Sequence, residues 1–160
     1  MKAVFLTGSM GSGKSSILRC ANFVSQHGFV RVCKEFDVLG VDQAGADSLS
    51  KYKKNEVLKS LSNYSGKKLV IAGKYYSKQV DLPRFVDMGF EVFVILLNVP
   101  RDEIYKRVLK RGSGGWNEIT YKTNVLNRVG FYKAHKGKKW IMSNANEQDQ
   151  QKVLQRILDI

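Results

Sequence analysis

Apolar and polar positions alternate along the chain in blocks that change period. The apolar run at residues 2–7 (KAVFLT) leads into a glycine cluster, after which Ile17, Leu18, Ala21 and Val24 or Ser25 recur at helical spacing. This predicts strand, loop and helix. A second strand is expected at about residues 29–33, and a polar helix from Asp47, a plausible N-cap, to Tyr64, with Leu49, Tyr52, Val57, Leu58 and Leu61 as its apolar stripe and Ser65-Gly66 as its stop. Residues 69–72 read as a buried strand, 79–88 as a short helix ended by Gly89, and 90–97 as the most apolar strand. Apolarity on both faces suits a central parallel strand. Pro100 suits the first position of a helix over 101–111 that Gly112 closes; Gly114 and Gly115 extend a loop. Further elements are expected at 118–132 (helix), 139–143 (strand) and 147–158 (helix, with Val153, Leu154, Ile157 and Leu158 inward). The alternation predicts an α/β fold: a parallel sheet of about five strands sandwiched between helices, with ligands at the carboxyl ends of the strands.

Length adds one constraint. The 160 residues are expected to form a single domain, 1–160, and 43% hydrophobic residues suffice for one core. Cys20 and Cys33 are isolated and lack metal or redox spacing, which fits buried thiols in a reducing compartment. His27 and His135 read as surface histidines. The longest apolar run, 92–97, is too short to cross a bilayer, and Met1-Lys2 leads into a strand rather than a signal-peptide core. A soluble, cytoplasmic protein with no membrane partner is expected.

Charge points to a polyanion. The net charge is +13, and from Arg101 to Lys139 eleven basic residues face three acidic ones. Solvated lysine-rich helix faces are the plainer reading of that excess.

Gly8-Ser9-Met10-Gly11-Ser12-Gly13-Lys14-Ser15 satisfies GxxxxGK[ST] and stands between the first strand and the first helix. Glycines let backbone N–H groups converge on phosphate oxygens, and the helix start adds its dipole. Lys14 would span the β- and γ-phosphates, Ser15 would ligate Mg²⁺, and Ser16 closes the nucleotide-binding segment. ATP and Mg²⁺ are therefore the expected cofactors. No NKxD base-reading motif follows, and the strand at 69–72 runs into Gly73-Lys74 without the acid common in motor and transporter ATPases. A small kinase fits best.

Arg107 and Arg111, four residues apart on one helix, can face a nucleotide together and close a lid over about residues 107–120. Arg111 is expected at the γ-phosphate, with Arg107 beside it; a solvated helix end complementing the macrodipole is the alternative. For the general base, Asp37 just past the second strand is the first choice and Glu35 its competitor. Asp47 looks like a cap, and Asp42 lies in a polar connection with nothing to aim it.

The cradle, Asp37 and the run from Asn98-Val99-Pro100 through Glu103, Lys106-Arg107 and Lys110-Arg111-Gly112 together resemble the kinase domain of phage polynucleotide 5′-kinases. The resemblance implies that Lys14 and Ser15 serve ATP and magnesium, that Asp37 activates the acceptor hydroxyl, and that Arg111 contacts the transferred phosphate. It also implies a host cytoplasm as compartment. That family carries an acid shortly after its third strand, whereas this chain has Gly73-Lys74-Tyr75-Tyr76. The departure opens similarity to phage kinases that phosphorylate hydroxymethyluracil within DNA. The Asp-Arg pair of thymidylate kinases is absent there too.

Lys74, Tyr75 and Lys78, at the expected carboxyl end of a strand, are candidates for acceptor binding, as phosphate ligands and a stacking surface. The segment 128–140 interleaves cations with Phe131, Tyr132 and Trp140, as strand-tracking surfaces do; core anchors among solvated lysines are the alternative. Ser143 to Asn146, after the last strand, is a candidate adenine site. The expected activity is transfer of the γ-phosphate of ATP to a hydroxyl on nucleic acid, DNA in the first instance. A nucleoside or nucleoside monophosphate kinase, and a nucleotide-regulated nucleic-acid-binding module, are the alternatives.

Overall fold

The computed structural model describes residues 1–19, 23–27, 30–40, 51–72, 78–112 and 117–160, with backbone alone for 23–27 and 51–53. Strand β1 (Lys2–Thr7) is the centre of the sheet because its residues 3–7 are buried on both faces. It runs parallel to β5 (Leu69–Ala72) on one side and to β6 (Glu91–Asn98) on the other. Beyond these, β4 (Asp37–Leu39) pairs parallel with β5, and β7 (Lys139–Ser143) parallel with β6. An antiparallel hairpin of β2 (Phe23–His27) and β3 (Val30–Cys33) extends the β4 edge. Among the described residues the sheet therefore has seven strands, in the order β2-β3-β4-β5-β1-β6-β7.

The sheet is mostly parallel and helix-covered, as the alternation predicts, and the strand expected at about 29–33 is present as β3 but runs antiparallel to its neighbours. Residues 29–33 were expected to supply the fifth parallel strand, and residues 37–39 supply it instead. Three residues, DVL, are too few for a period to show, so only pairing to β5 reveals them as a strand. Helical spacing also extended the first helix to Val24 or Ser25, whereas Phe23–His27 is paired across the hairpin. The ladder satisfies those backbone groups, and tertiary pairing overrides a weak local period.

Alternation along β1 divides the core. Ala3 and Phe5 meet α2 (Lys51–Leu61), α3 (Asp81–Asp87) and α5 (Glu118–Ala134) through Val57, Leu61, Phe85 and Phe131. Val4 and Leu6 meet α1 (Lys14–Arg19) and α6 (Glu147–Asp159) through Ile17, Leu18, Val153 and Ile157. Phe5 makes edge contact with Phe85 at 5.0 Å and a tilted contact with Phe131 at 5.4 Å between ring centres. Each such fully buried side chain contributes about 1.5–3 kcal/mol. Of the four α6 residues expected inward, Leu158 faces solvent, because a stripe at i and i+4 already covers the sheet.

Helix α4 (Arg101–Lys110) begins one residue after Pro100, whose ψ of 142° makes it the N-cap rather than the first helical residue. The N-cap role read for Asp47 lies outside the described residues. Because five strands are parallel, Thr7, Leu39, Ala72, Asn98 and Ser143 mark one end of the sheet.

Candidate active site

The glycine-rich loop leaves β1 at that end. Gly11 and Gly13 have φ of +80° and +91°, a left-handed backbone that L side chains rarely adopt, and this lets the loop turn back over the strand. Gly11 also lies against α4: a Cβ there would stand 3.2 Å from Ile104 and Val108. Met10 packs on the same small cluster of Val99, Ile104 and Val108. The Lys14 ammonium spans the loop, donating to the carbonyls of Gly8 (2.8 Å) and Ser9 (3.0 Å) and to Ser12 Oγ (3.3 Å).

A second segment is docked against the cradle. Buried Asn144 donates through Nδ2 to the Ser12 carbonyl at 2.7 Å. The loop holding it is fixed by α6, where the Asn146 side chain caps the Asp149 N–H at 2.9 Å and Asp149 accepts from the Ala145 N–H at 3.0 Å and Ser143 Oγ at 2.7 Å. Those hydrogen bonds hold the Asp149 carboxyl below the usual carboxylate range. The 143–146 segment named as a candidate adenine site therefore touches the cradle directly.

Arg107 is held between the two. Its Nε donates to Glu103 at 3.1 Å, and its terminal nitrogens donate to the carbonyls of Gly11 (3.2 Å), Asn144 (2.8 Å) and Ala145 (3.2 Å). Arg111, one turn on, is the C-cap of α4 and lines the phosphate cleft instead. The two arginines that spacing placed together thus point to different partners.

The cleft over the cradle has a volume of about 330 Å³ and is lined by Gly8, Met10, Gly11, Gly13, Lys14, Ser15, Arg111, Thr120, Asn124 and Arg128. The last three belong to α5 and recur every four residues, so one helix face covers the cradle. Sequence reasoning did not single out Thr120 or Asn124, and took Arg128 only as the start of the basic segment 128–140; the polar i, i+4, i+8 series was the available signal. Arg128 also borders a second hollow of about 250 Å³ with Ser9, Asn98, Tyr121, Val125 and Ile141.

Asp37 and Glu35 are not brought to this cleft. Asp37 opens β4 in register with Leu69, which pairs with Ala3, four residues before the end of β1. At about 3.3 Å per residue this places it some ~13 Å below the cradle end of the sheet. The expectation failed because Asp37 begins a strand that had not been recognised. It is 3% exposed and accepts a hydrogen bond from the Tyr64 hydroxyl, whose pKa is pushed up by burial and then by the Asp37 carboxylate. Glu35 is exposed just before it. Lys78 is exposed, its N–H donating to Asp81 at 3.1 Å. Lys74 and Tyr75 lie outside the described residues.

The lysine end of the basic segment lies away from the cleft, although Arg128 at its start lines it. Lys139 opens β7 opposite Val94, away from the cradle, and its ammonium donates to the carbonyls of Tyr132 (3.2 Å) and His135 (2.8 Å) at the end of α5. Lys138 stands 5.8 Å from the Phe93 ring. Phe131 and Trp140 are the core anchors of the alternative reading: Phe131 is buried and Trp140 stacks on Phe93 at 6.2 Å. His135, read as a surface residue, is 8% exposed.

Comparison with solved structures places this arrangement. Over 99% of its length the chain superposes on a tunicamycin resistance protein from Deinococcus radiodurans (TM-score 0.61, 15% identity, 94% of that chain). It superposes equally far on a shikimate kinase from Bacteroides thetaiotaomicron (0.56, 13%, 97%) and a gluconokinase from Sinorhizobium meliloti (0.51, 12%, 94%). No protein-family model and no curated protein matches it by sequence. At such identities the likeness is one of fold, and that fold is the P-loop kinase fold. No helix among the described residues is long and apolar enough to cross a membrane.

Proposed function

We propose that the protein is an ATP-dependent kinase that transfers the γ-phosphate of ATP to a hydroxyl group on nucleic acid. The observation that carries this reading is the single cleft where the loop, Lys14, Ser15, Arg111 and Arg128 meet, with no carboxylate among its described lining residues. Such a cleft favours phosphate and disfavours cations other than one the phosphates bring. Ser15 offers a hard oxygen beside Lys14, which suits Mg²⁺ shared with phosphate oxygens; the ion, when bound, neutralises charge on the moving phosphoryl group.

In the transfer, the bond from the γ-phosphorus to the β,γ-bridging oxygen breaks, ADP leaves with the electron pair, and the acceptor oxygen forms the new bond. The hydroxyl proton passes to a carboxylate. Lys14 and Arg111 hold the charge that develops on the phosphate oxygens. Arg107, with its donors on Gly11, Asn144 and Ala145, holds the cradle and the adenine-side segment together. The base is sought where β4 ends rather than where it begins, and the first acid in the chain after Leu39 is Asp42, outside the described residues.

A nucleoside or nucleoside monophosphate acceptor is the second reading. It is favoured by the position of Lys138 and Lys139 near the start of β7, where a strand laid over the cleft would not meet them. Labelled ATP offered to 5′-hydroxyl oligonucleotides, DNA containing hydroxymethyluracil, free nucleosides and monophosphates separates the readings. Label in oligonucleotides supports the first; label in monophosphates alone supports the second. ATP hydrolysis or binding without an acceptor indicates a nucleotide-regulated binding module.

A further inference from the structure

Two of the α5 residues that line the phosphate cleft are neutral, Thr120 and Asn124. They stand one turn apart, about 6 Å along the helix, and both are half-buried. Threonine and asparagine are weak helix formers because their side chains turn back to compete for backbone groups. Here they do not. Among the described residues the Thr120 hydroxyl and the Asn124 amide make no hydrogen bond with the protein, while the Thr120 backbone N–H donates to the Asn117 side chain at 2.8 Å. A ligand that fills the cleft takes water away from these two groups, so it has to offer them hydrogen bonds in return.

The chemistry of the pair separates that ligand from the triphosphate. Phosphate oxygens only accept, and the cleft meets them with Lys14, Arg111 and the start of a helix. An amide and a hydroxyl each donate and accept. With no Asp or Glu among the described lining residues, the side-chain oxygens of the cleft are those of Ser15, Thr120 and Asn124, and Ser15 lies beside Lys14 where the metal and phosphates meet. A ligand group that carries an O–H or N–H of its own therefore finds its side-chain acceptors on α5. ATP phosphates carry none at neutral pH, whereas a sugar hydroxyl or the edge of a base both donates and accepts.

We propose that Asn124, with Thr120 beside it, reads the acceptor: the amide exchanges hydrogen bonds with a neutral donor–acceptor group, a second sugar hydroxyl or a base edge, close to the hydroxyl that is phosphorylated. The inference rests on the kinase reading and narrows it, since the pair selects the acceptor and leaves ATP to the glycine-rich loop. Rejection of an analogue that lacks the group follows from the same chemistry, because the amide is then left buried without a partner.

The test uses the full chain. Acceptors are offered as a sugar series (ribo-, 2′-deoxy- and 3′-deoxynucleosides, their monophosphates and the matching short oligonucleotides) and a base series (natural and abasic oligonucleotides). Binding is titrated with a non-hydrolysable ATP analogue present, and transfer is then measured with ATP. For Asn124→Ala we expect acceptor affinity and kcat/KM for the acceptor to fall on the order of ten- to a hundredfold, with ATP-analogue affinity changed less than about twofold. Alanine is the better helix former, so a thermal melt at or above the parent's separates this loss from misfolding. Thr120→Val should give a smaller loss in the same direction, and Thr120→Ser should behave as the parent. An acceptor that lacks the group read by Asn124 binds the parent weakly and loses nothing further in Asn124→Ala; whether it is a deoxy or an abasic acceptor identifies the source. The proposal is overturned if ATP-analogue affinity falls as far as acceptor affinity, if Asn124→Ala treats every acceptor as the parent does, or if no acceptor binds the parent. Weakened acceptor binding in Asn124→Ala, with no transfer by the parent to any acceptor, overturns the kinase reading alone.

Discussion

The side-chain amide of Asn144 donates to the carbonyl of Ser12 at 2.7 Å across 132 residues of chain, joining the segment after β7 to the loop after β1. Gly13 makes the approach possible, since a Cβ on it would lie 2.4 Å from Asn144 Nδ2.

The first prediction follows from that contact. Gly13→Ala is strained by its φ of +91° and displaces Asn144 as well, so it should cost more stability than Asn144→Ala. Loss of the buried hydrogen bond in Asn144→Ala should cost about 1–3 kcal/mol. Urea melts of both variants, with ATP titrations, measure the order; equal stability of Gly13→Ala and the parent would contradict the packing argument.

Arg107 gives the second. Because its donors end on carbonyls of the cradle and of the 144–145 segment, Arg107→Ala should lower stability by about 1.5–3 kcal/mol and weaken ATP binding together. Arg107→Lys should not restore either, since one ammonium cannot replace the fork. A variant that melts like the parent but turns over slowly at saturating ATP would instead return Arg107 to the phosphates.

How much of this was legible depended on how local each feature is. The cradle is eight contiguous residues between a strand and a helix, so its chemistry could be read directly. The relation of Arg107 to Arg111 could not, because spacing fixes a shared helix face but not which partner each guanidinium finds once α4 ends at Lys110. Arg128 was hidden for a similar reason: the face of α5 that covers the cleft is set by where Phe131 meets Phe5. Asp37 was misplaced because β4 is three residues long, so its first residue reads in sequence as a loop position after the strand at 29–33.

The third prediction separates Asp37 from Asp42. Asp37→Asn should lower stability, since the buried carboxylate accepts from Tyr64, and leave turnover of the folded enzyme near the parent's. Asp42→Asn should lose about 10² to 10⁴ in turnover, the range for a general base. Single-turnover rates beside thermal melts decide it; slow turnover in Asp37→Asn at parental stability would reverse the assignment.

His135 supplies a pH dependence. The ring is 8% exposed at the end of α5, beside Gly137, in a groove also lined by Glu91, Lys136 and Lys138. Burial first, with the Lys139 charge adding, pushes its pKa below the ordinary 6.5, against backbone groups of Val92 and Lys138 that favour the charged ring. The folded state therefore binds the proton less readily than the unfolded chain. The contribution to stability is fully present above pH 6.5 and is lost as the pH falls from there through the lower folded-state value. For a single proton the slope cannot exceed about 1.4 kcal/mol per pH unit. His135→Gln should flatten the stability curve below pH 6.5 relative to the parent while leaving it unchanged in shape above. Urea melts at half-unit steps from pH 7.5 to about 5 measure both limbs. A parent curve that rises on acidification would mean that the ring is stabilised in its charged form, with the backbone carbonyls outweighing burial.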